Sequence, residues 1–99
     1  TNPEELIGAA HAGCFSMAFA NGLAKAGFEP DSIQTNAKVY LEKGSEGFGI
    51  AKIELECVGR VPEIDDDTFQ EQAEAAKVGC PVSRALSATP IELKATLAD

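Results

Sequence analysis

Cys80 stands in a segment whose residues favour a reactive thiol. It lies in the run GCPVS, where Gly79 is expected to end one helix and Pro81 to begin a short one over residues 81–87. Cys80 would then occupy the N-cap of the short helix, where backbone N–H groups stabilise a thiolate and lower the pKa of the thiol. A structural cysteine does not need this setting, but the local sequence leaves both a reactive and a packing role open.

Cys14 is the second candidate thiol, and it lies in the middle of an apolar stretch. His11 precedes it by about one helical turn, close enough to act as a base or to hold charge near the sulfur. The simpler interpretation makes Cys14 a packing residue and bonds His11 to backbone or water. Glu4, at the start of the same stretch, could be no more than a favourable charge in the first turn of a helix.

The three cysteines do not follow the pattern of a disulfide framework or of a zinc site. Cys14, Cys57 and Cys80 are odd in number, the sequence contains no CxxC pair, and we expect no leader peptide. We therefore expect a reducing compartment, in which each thiol serves either packing or chemistry.

These side chains must be positioned by the elements that carry them, and the first is a long helix over residues 1–28. Asn2 can cap it, Pro3 suits its first turn, and Asn2 with Glu5 approximates a capping box. Gly27 can take the left-handed conformation that closes a helix.

The first helix is apolar almost all round, which predicts burial on most sides. The uncharged run 6–24 is long enough for a membrane span, but its Ala, Gly and polar residues favour a core helix. The dipeptide at 21–22, Asn-Gly, is a weak point that can kink or end it. A stripe of small residues predicts close packing against the same helix of a second copy of the chain: Gly8, Ala9, Ala12, Gly13, Ser16 and Ala20.

Two alternating segments, residues 32–44 and 48–61, predict an antiparallel hairpin covered on one side. The residues expected to face inwards are Ile33, Ala37, Val39 and Leu41 in the first strand, and Ile53, Leu55 and Cys57 in the second. Cys57 is therefore expected to be a small apolar filler rather than a reactive thiol.

A second helix is expected over residues 68–78, followed by a third strand over 89–99. The helix can be capped by Asp65, with Ile64 and Phe69 as a hydrophobic staple, or by Asp67, with Gln70 completing a capping box. We interpret the Asp65–67 carboxylates as solvated caps rather than metal ligands. Phe69, Ala73 and Ala76 should form the buried stripe, and Ile91, Leu93, Ala95 and Leu97 should face inwards from the strand.

The element order predicts one α+β domain over residues 1–99, with a long central helix and a second helix packed on an antiparallel sheet. Three strands cannot cover a helix that is apolar all round. We therefore expect missing N-terminal strands, a second subunit, or both to complete the fold. The net charge of −8 and the lack of a basic stripe argue against nucleic acid or an acidic membrane as a partner.

Two runs carry a resemblance to a known family. The runs NPEELIGAAHAGCFSMA at 2–18 and GCPVSRAL at 79–86 resemble the osmotically inducible protein C / organic hydroperoxide resistance (OsmC/Ohr) family, and the segment GFEPDSIQTNAKVYLEK between them is similar to it too. Two linked motifs in the expected order are more specific than either alone. The first run resembles the OsmC branch more closely, since the Ohr branch tends to carry an aromatic residue where His11 stands.

The resemblance implies the family's α+β fold and a peroxidase, an antioxidant oxidoreductase associated with oxidative and osmotic stress. Cys14 matches the peroxidatic cysteine, Cys80 the resolving cysteine, and Glu4 the acidic residue that orients a catalytic arginine. An organic hydroperoxide would convert Cys14 to a sulfenic acid, Cys80 would close a redox-active disulfide with it, and a dithiol reductant of the dihydrolipoyl type would restore both thiols. The resemblance further implies a cytoplasmic homodimer without cofactor or metal.

Two features depart from this pattern. The family arginine would lie N-terminal to this stretch, and neither Arg60 nor Arg84 stands at its position, so the chain is expected to lack its N-terminal strands. In addition, the capping argument makes Cys80 the more acidic thiol, whereas the resemblance names Cys14 as the attacking one. We follow the resemblance, because an arginine contact can outweigh a helix cap.

Some alternatives remain open at the level of sequence. Glu4 and Cys14 lie about 15 Å apart along one helix, so Glu4 must act through a long arginine or reach the Cys14 of a second chain; the small-residue stripe favours the second option. A non-catalytic module for redox sensing or ligand binding is the main alternative function. A metal site built from His11, Cys14 and Cys80 is another.

Overall fold

The structure, a computed structural model, describes residues 2–99, over which the chain folds into three helices and one sheet. The helices are α1 (Pro3–Lys25), α2 (Asp66–Gly79) and α3 (Pro81–Ala85), and the strands are β1 (Ser32–Gly44), β2 (Gly47–Arg60) and β3 (Ile91–Leu97). The helices cover one face of the sheet, so the α+β class with a long helix and a second helix on a sheet is confirmed. Thr1, the first residue of the predicted helix, lies outside the described residues.

The ends of α1 follow from local chemistry. The side-chain oxygen Oδ1 of Asn2 accepts the backbone N–H of Glu5 at 2.9 Å, and the Asn2 side-chain amide donates to the Glu5 carboxylate at 3.0 Å. This is a variant of the capping box, since Glu5 bonds to the side chain of the N-cap residue and not to its backbone N–H. At the other end Gly27 has a φ of 97° and closes the helix, and the N–H of Phe28 bonds back to the carbonyl of Leu23 at 2.9 Å.

One detail of the prediction for α1 was wrong. The helix ends at Lys25 rather than at residue 28, because the closing turn around Gly27 already uses its last carbonyls. The weak point at Asn21 and Gly22 neither kinks nor ends the helix, which runs without interruption through both residues. Gly22 lies close to α2, where a Cβ would stand 3.1 Å from the side-chain oxygen of Gln72.

Within the described chain, α1 is buried along one face only. The residues of that face are Gly8, His11, Phe15, Phe19 and Leu23. On other sides Leu6 is 61% and Met17 75% exposed, so the predicted burial on most sides is wrong for a single chain. By length and composition α1 could cross a membrane, but core helices pass the same test, and its buried face packs on the sheet and α2.

The small-residue stripe of α1 does not form one continuous surface. Gly8 lies against β1, where a Cβ would stand 3.4 Å from the side chain of Val39, and the Ser16 hydroxyl donates to that of Thr35 on β1 at 2.6 Å. Gly13 is exposed, and a Cβ added there would have no neighbouring atom within 4 Å. Part of the stripe predicted to meet a second chain therefore packs on a strand of its own chain.

The sheet has the order β1-β2-β3, and it is mixed. β1 and β2 form the predicted antiparallel hairpin, with Thr35 opposite Cys57. β3 pairs parallel to β2, with Leu93 beside Leu55, so the expectation of a wholly antiparallel sheet was wrong. The reason is the connection: α2 and α3 carry the chain back across the sheet between β2 and β3, which is the geometry of a parallel crossover.

The core lies between the helices and the face of β2 that was predicted to point inwards. Ile53 and Leu55 are fully buried and Cys57 is 1% exposed, as expected, and the inward stripe of α2 (Phe69, Ala73 and Ala76) is buried too. Asp65, not Asp67, caps α2 by accepting the N–H of Thr68 at 3.0 Å. Ile64 and Phe69, the pair expected with that cap, both belong to the buried core.

Gly59 on β2 lies directly under the Phe69 ring, and a Cβ there would approach the ring to 2.7 Å. Because Phe69 is fully buried, its ring cannot move aside without disturbing the packing of the core. Gly59→Ala should therefore lower the free energy of unfolding by about 1–3 kcal/mol, measured by urea denaturation. Gly49→Ala in the same strand is the control, because a Cβ at that position would have no neighbouring atom within 4 Å. Equal losses in both variants would contradict this packing argument.

Candidate functional site

Cys14 and Cys80 come together where α1 passes the start of α3. Cys80 ends α2 and is the N-cap residue of α3, so the sharp change of direction at Cys80 and Pro81 delivers its sulfur to the middle of α1. The two thiols lie within hydrogen-bonding reach of each other, and both are free. The two cysteines named from the sequence are thus neighbours, and the predicted short helix after Cys80 is confirmed.

The two thiols differ in their access to solvent. Cys80 is fully buried, whereas Cys14 is half-buried, at the border between the covered face of α1 and its open face. A small molecule arriving from solvent therefore meets the sulfur of Cys14 first.

The two thiols also differ in acidity. Burial raises the pKa of Cys14, and its hydrogen bond to Cys80 raises it further, while the backbone N–H of Val82 acts weakly in the other direction. Burial also acts to raise the pKa of Cys80, but donors directed at its sulfur outweigh burial, so the pKa is lowered on balance. These donors are the Cys14 thiol, the N–H and hydroxyl of Ser83, and the Val82 N–H, although the Cys80 side chain accepts no cap hydrogen bond at the start of α3.

The more acidic thiol is thus Cys80, as its position at a helix start predicted. Among residues 2–99, no basic side chain stands close enough to Cys14 to lower the pKa of its thiol. Arg84 is exposed on α3, and Arg60 donates to the carbonyl of Asp99 at 2.9 Å.

His11 is fully buried and forms a hydrogen bond that the sequence did not predict. Its Nε2 lies 2.7 Å from the hydroxyl of Ser83, and its Nδ1 has no partner among residues 2–99. The expected bond to backbone or water is therefore replaced by a side chain of α3. The sequence contained one signal: His11 precedes Cys14 by three residues and Ser83 follows Cys80 by three, so both lie one turn from a cysteine. Burial lowers the pKa of His11, which keeps it neutral.

Glu4 lies in the first turn of α1, well away from both sulfurs. It is half-exposed and lines a surface cavity of about 450 Å³ with Asn2, Glu5, Gly8, Ala37, Val39 and Leu41. Because α1 is unbroken from Pro3 to Lys25, the separation of about 15 Å from Cys14 that was calculated for a straight helix holds.

The remaining candidates do not join the site. Cys57 is buried in the sheet within reach of the Thr35 hydroxyl, and burial raises the pKa of its thiol. Across residues 2–99 there is no group of three or more His, Cys, Asp and Glu side chains placed to hold a metal ion. The three carboxylates Asp65–67 are exposed, and Asp65 caps α2.

Comparison with known proteins gives a family match over almost the whole chain. The family model described as OsmC-like protein matches residues 1–95. The chain is 57% identical over 88 residues to "Peroxiredoxin OsmC" of Escherichia coli, an alignment that covers 89% of this chain and 62% of that protein. It is 33% identical over 86 residues to "Organic hydroperoxide resistance protein OhrB" of Bacillus subtilis, covering 86% of this chain and 61% of that protein.

Solved structures show the same fold. The crystal structure of the Bacillus subtilis OhrB matches with a TM-score of 0.73 and 31% identity, over 99% of this chain and 70% of that one. An OsmC-like protein of Vibrio cholerae matches with a TM-score of 0.85 at 22% identity, over 94% of this chain and 62% of that one. The chain thus spans about 62% of the length of the curated relatives it matches.

Proposed function

The chain belongs to the OsmC-like protein family, and from that premise we propose that it is a thiol-dependent peroxidase that reduces organic hydroperoxides to alcohols. Relatives named as a peroxiredoxin and as an organic hydroperoxide resistance protein support a peroxidase function in general. The observation that carries the proposal is the contact between Cys14 and Cys80, since a peroxidase with a resolving cysteine needs two thiols within reach of each other. We place this chemistry in the cytoplasm, where thiols are kept reduced.

In the proposed reaction Cys14 attacks the peroxide and Cys80 resolves the product. The sulfur of Cys14 attacks one peroxide oxygen, the O–O bond breaks, and the alkoxide leaves and takes up a proton to become an alcohol. Cys14 is then a sulfenic acid. The thiolate of Cys80 attacks the Cys14 sulfur, hydroxide leaves and becomes water, and a Cys14–Cys80 disulfide remains. A dithiol, which we propose to be of the dihydrolipoyl type, reduces this disulfide by exchange.

Exposure rather than acidity supports this assignment of roles. Cys80 is the more acidic thiol, but it is fully buried and a bulky hydroperoxide cannot reach it. Cys14 is accessible, and its thiol lies within hydrogen-bonding reach of the Cys80 sulfur, which can accept the proton as Cys14 becomes nucleophilic. A cation near Cys14 would lower the pKa of its thiol. In the proposed assembly this cation is the arginine that the family resemblance places N-terminal to this stretch, oriented by Glu4.

Substitution of each cysteine should separate these roles. Cys14→Ser should lose consumption of cumene hydroperoxide with a dithiol reductant, because the attacking sulfur is gone. Cys80→Ser should still consume the first equivalent of peroxide, but its steady rate should fall at least roughly ten-fold as Cys14 passes to the sulfinic acid. Cys57→Ala, which removes a buried thiol outside the site, should keep its turnover.

Two results would contradict the proposal. Full turnover by Cys14→Ser would remove Cys14 from the chemistry. Consumption of a single equivalent by the unsubstituted protein, with a dithiol present but without continued turnover, would favour the redox-sensing module instead.

We further propose that the protein acts as a homodimer, with the open face of α1 in the interface and Glu4 serving the Cys14 of the second chain. Leu6 and Met17 on that face are large apolar side chains exposed in a single chain, which supports a partner there. In addition, Glu4 and Cys14 of one chain lie too far apart on α1 to touch.

Mixed dimers test the shared site. When Glu4→Ala and Cys14→Ser chains are unfolded together and refolded, about a quarter of the wild-type peroxidase rate should return, because half of the dimers are mixed and each has one intact site. Glu5→Ala, the neighbouring carboxylate, is the control and should be active without mixing. No recovery in a mixture shown to contain mixed dimers would place Glu4 and Cys14 in a single-chain site.

A further inference from the structure

His11 and Ser83 form a buried hydrogen bond that takes no part in the reaction proposed above. The bond joins α1 to α3, its length is 2.7 Å, and both side chains are shielded from solvent, at 0% and 5% exposure. Two buried polar side chains would be replaceable by apolar ones if only packing were needed. Their position suggests more, because Ser83 lies one helical turn after Cys80 and its hydroxyl is within hydrogen-bonding reach of the Cys80 sulfur.

We propose that His11 and Ser83 are positioning residues for Cys80: the Nε2–H of His11 donates to the Ser83 hydroxyl, which in turn donates to the Cys80 sulfur and favours its thiolate. This inference rests on the proposed function, since it assigns the arrangement to the resolving step and to the reduction of the disulfide. Neither residue touches the peroxide.

The unpaired nitrogen of His11 supports the direction of these bonds. A neutral histidine carries one N–H, and Nδ1 has no partner among residues 2–99. Buried N–H groups without an acceptor are rarer than buried acceptors without a donor, so the hydrogen belongs on Nε2. The Ser83 oxygen then accepts from His11, and its own O–H is free to donate to Cys80. With the hydrogen on Nδ1, the Ser83 hydroxyl would have to donate to Nε2 of His11 and could not donate to the Cys80 sulfur.

Cys80 needs a stabilised thiolate in both half-reactions. When it resolves the sulfenic acid, its thiolate attacks the Cys14 sulfur and hydroxide leaves. When a dithiol reduces the disulfide, the incoming thiolate reaches the accessible Cys14 sulfur, the Cys14–Cys80 bond breaks, and its electron pair goes to Cys80. The second thiol of the reductant then displaces Cys14 from the mixed disulfide. A leaving thiol of lower pKa leaves faster.

The charged groups around Cys80 do not replace this arrangement. The titratable groups that reach it, directly or through Ser83, are Cys14 and His11 on α1. Arg84 on α3 has an exposed side chain, and Lys77 near the end of α2 pairs with Glu74 at 3.1 Å. The hydroxyl of Ser83 should therefore have a measurable effect on the ionisation of Cys80.

Nuclear magnetic resonance on the reduced full chain tests the arrangement without peroxide. The sequence contains one histidine, so ¹⁵N spectra report the tautomer of His11 without ambiguity, and Nε2–H is expected. ¹³Cβ-labelled cysteine reports the ionisation of Cys80 against pH. Ser83→Ala should move the Cys80 midpoint to higher pH, and Ser83→Thr, which keeps the hydroxyl, should restore it. Ser87→Ala, an exposed serine after α3, should leave it unchanged.

Reduction of the disulfide gives the kinetic readout. After oxidation with diamide, the Cys14–Cys80 disulfide of Ser83→Ala should be reduced by a dithiol about ten times more slowly at pH 7 than that of the unsubstituted protein. His11→Gln, which keeps an N–H near the position of Nε2, should lie between the two. Neither assay uses peroxide, so a failure of the proposed peroxidase function would leave both results intact.

The proposal is overturned by an Nδ1–H tautomer, or by a folded Ser83→Ala variant whose Cys80 midpoint and reduction rate both match those of the unsubstituted protein. If Ser83→Ala does not fold, the tautomer of the unsubstituted protein and the midpoint of His11→Gln decide the question in the same way.

Discussion

The contact between the middle of α1 and the start of α3 is the constraint on which the site depends. Two pairs of side chains meet there, Cys14 with Cys80 and His11 with Ser83, and each helix contributes its two residues one turn apart. α3 has only five residues and cannot be stable alone, so it is held by its contacts with α1 and α2. Packing of the short helix against α1 therefore also brings the two sulfurs together.

The two thiols of this contact differ in burial, and the difference suits them to different roles. The half-buried sulfur belongs to a helix with an open face, and the fully buried sulfur belongs to a turn with donors around it. A thiol that must meet a bulky substrate needs access, whereas a thiol that must attack or leave as an anion needs donors. We propose that the fold assigns these needs to Cys14 and Cys80 separately. One consequence is that Cys14 still needs a cation to lower the pKa of its thiol, which residues 2–99 do not supply.

The sequence predicted most of the local structure because each feature depends on neighbours in the chain. Asn2 and Glu5 cap α1, Gly27 closes it, and the alternation of β2 places Ile53, Leu55 and Cys57 inwards, as expected. The direction of β3 could not be obtained in this way, since alternation is the same in parallel and antiparallel strands. The bond between His11 and Ser83 was also missed, because it joins residues far apart in the chain that only the packing of α3 brings together. The resemblance linked Cys14 to Cys80, which local patterns alone did not.

The most direct test of the account is peptide mapping of the protein after one equivalent of cumene hydroperoxide. The account predicts a single disulfide between Cys14 and Cys80 within one chain, with Cys57 recovered as a free thiol. A disulfide that includes Cys57, a bond between chains, or an oxidised Cys80 beside an untouched Cys14 would contradict it.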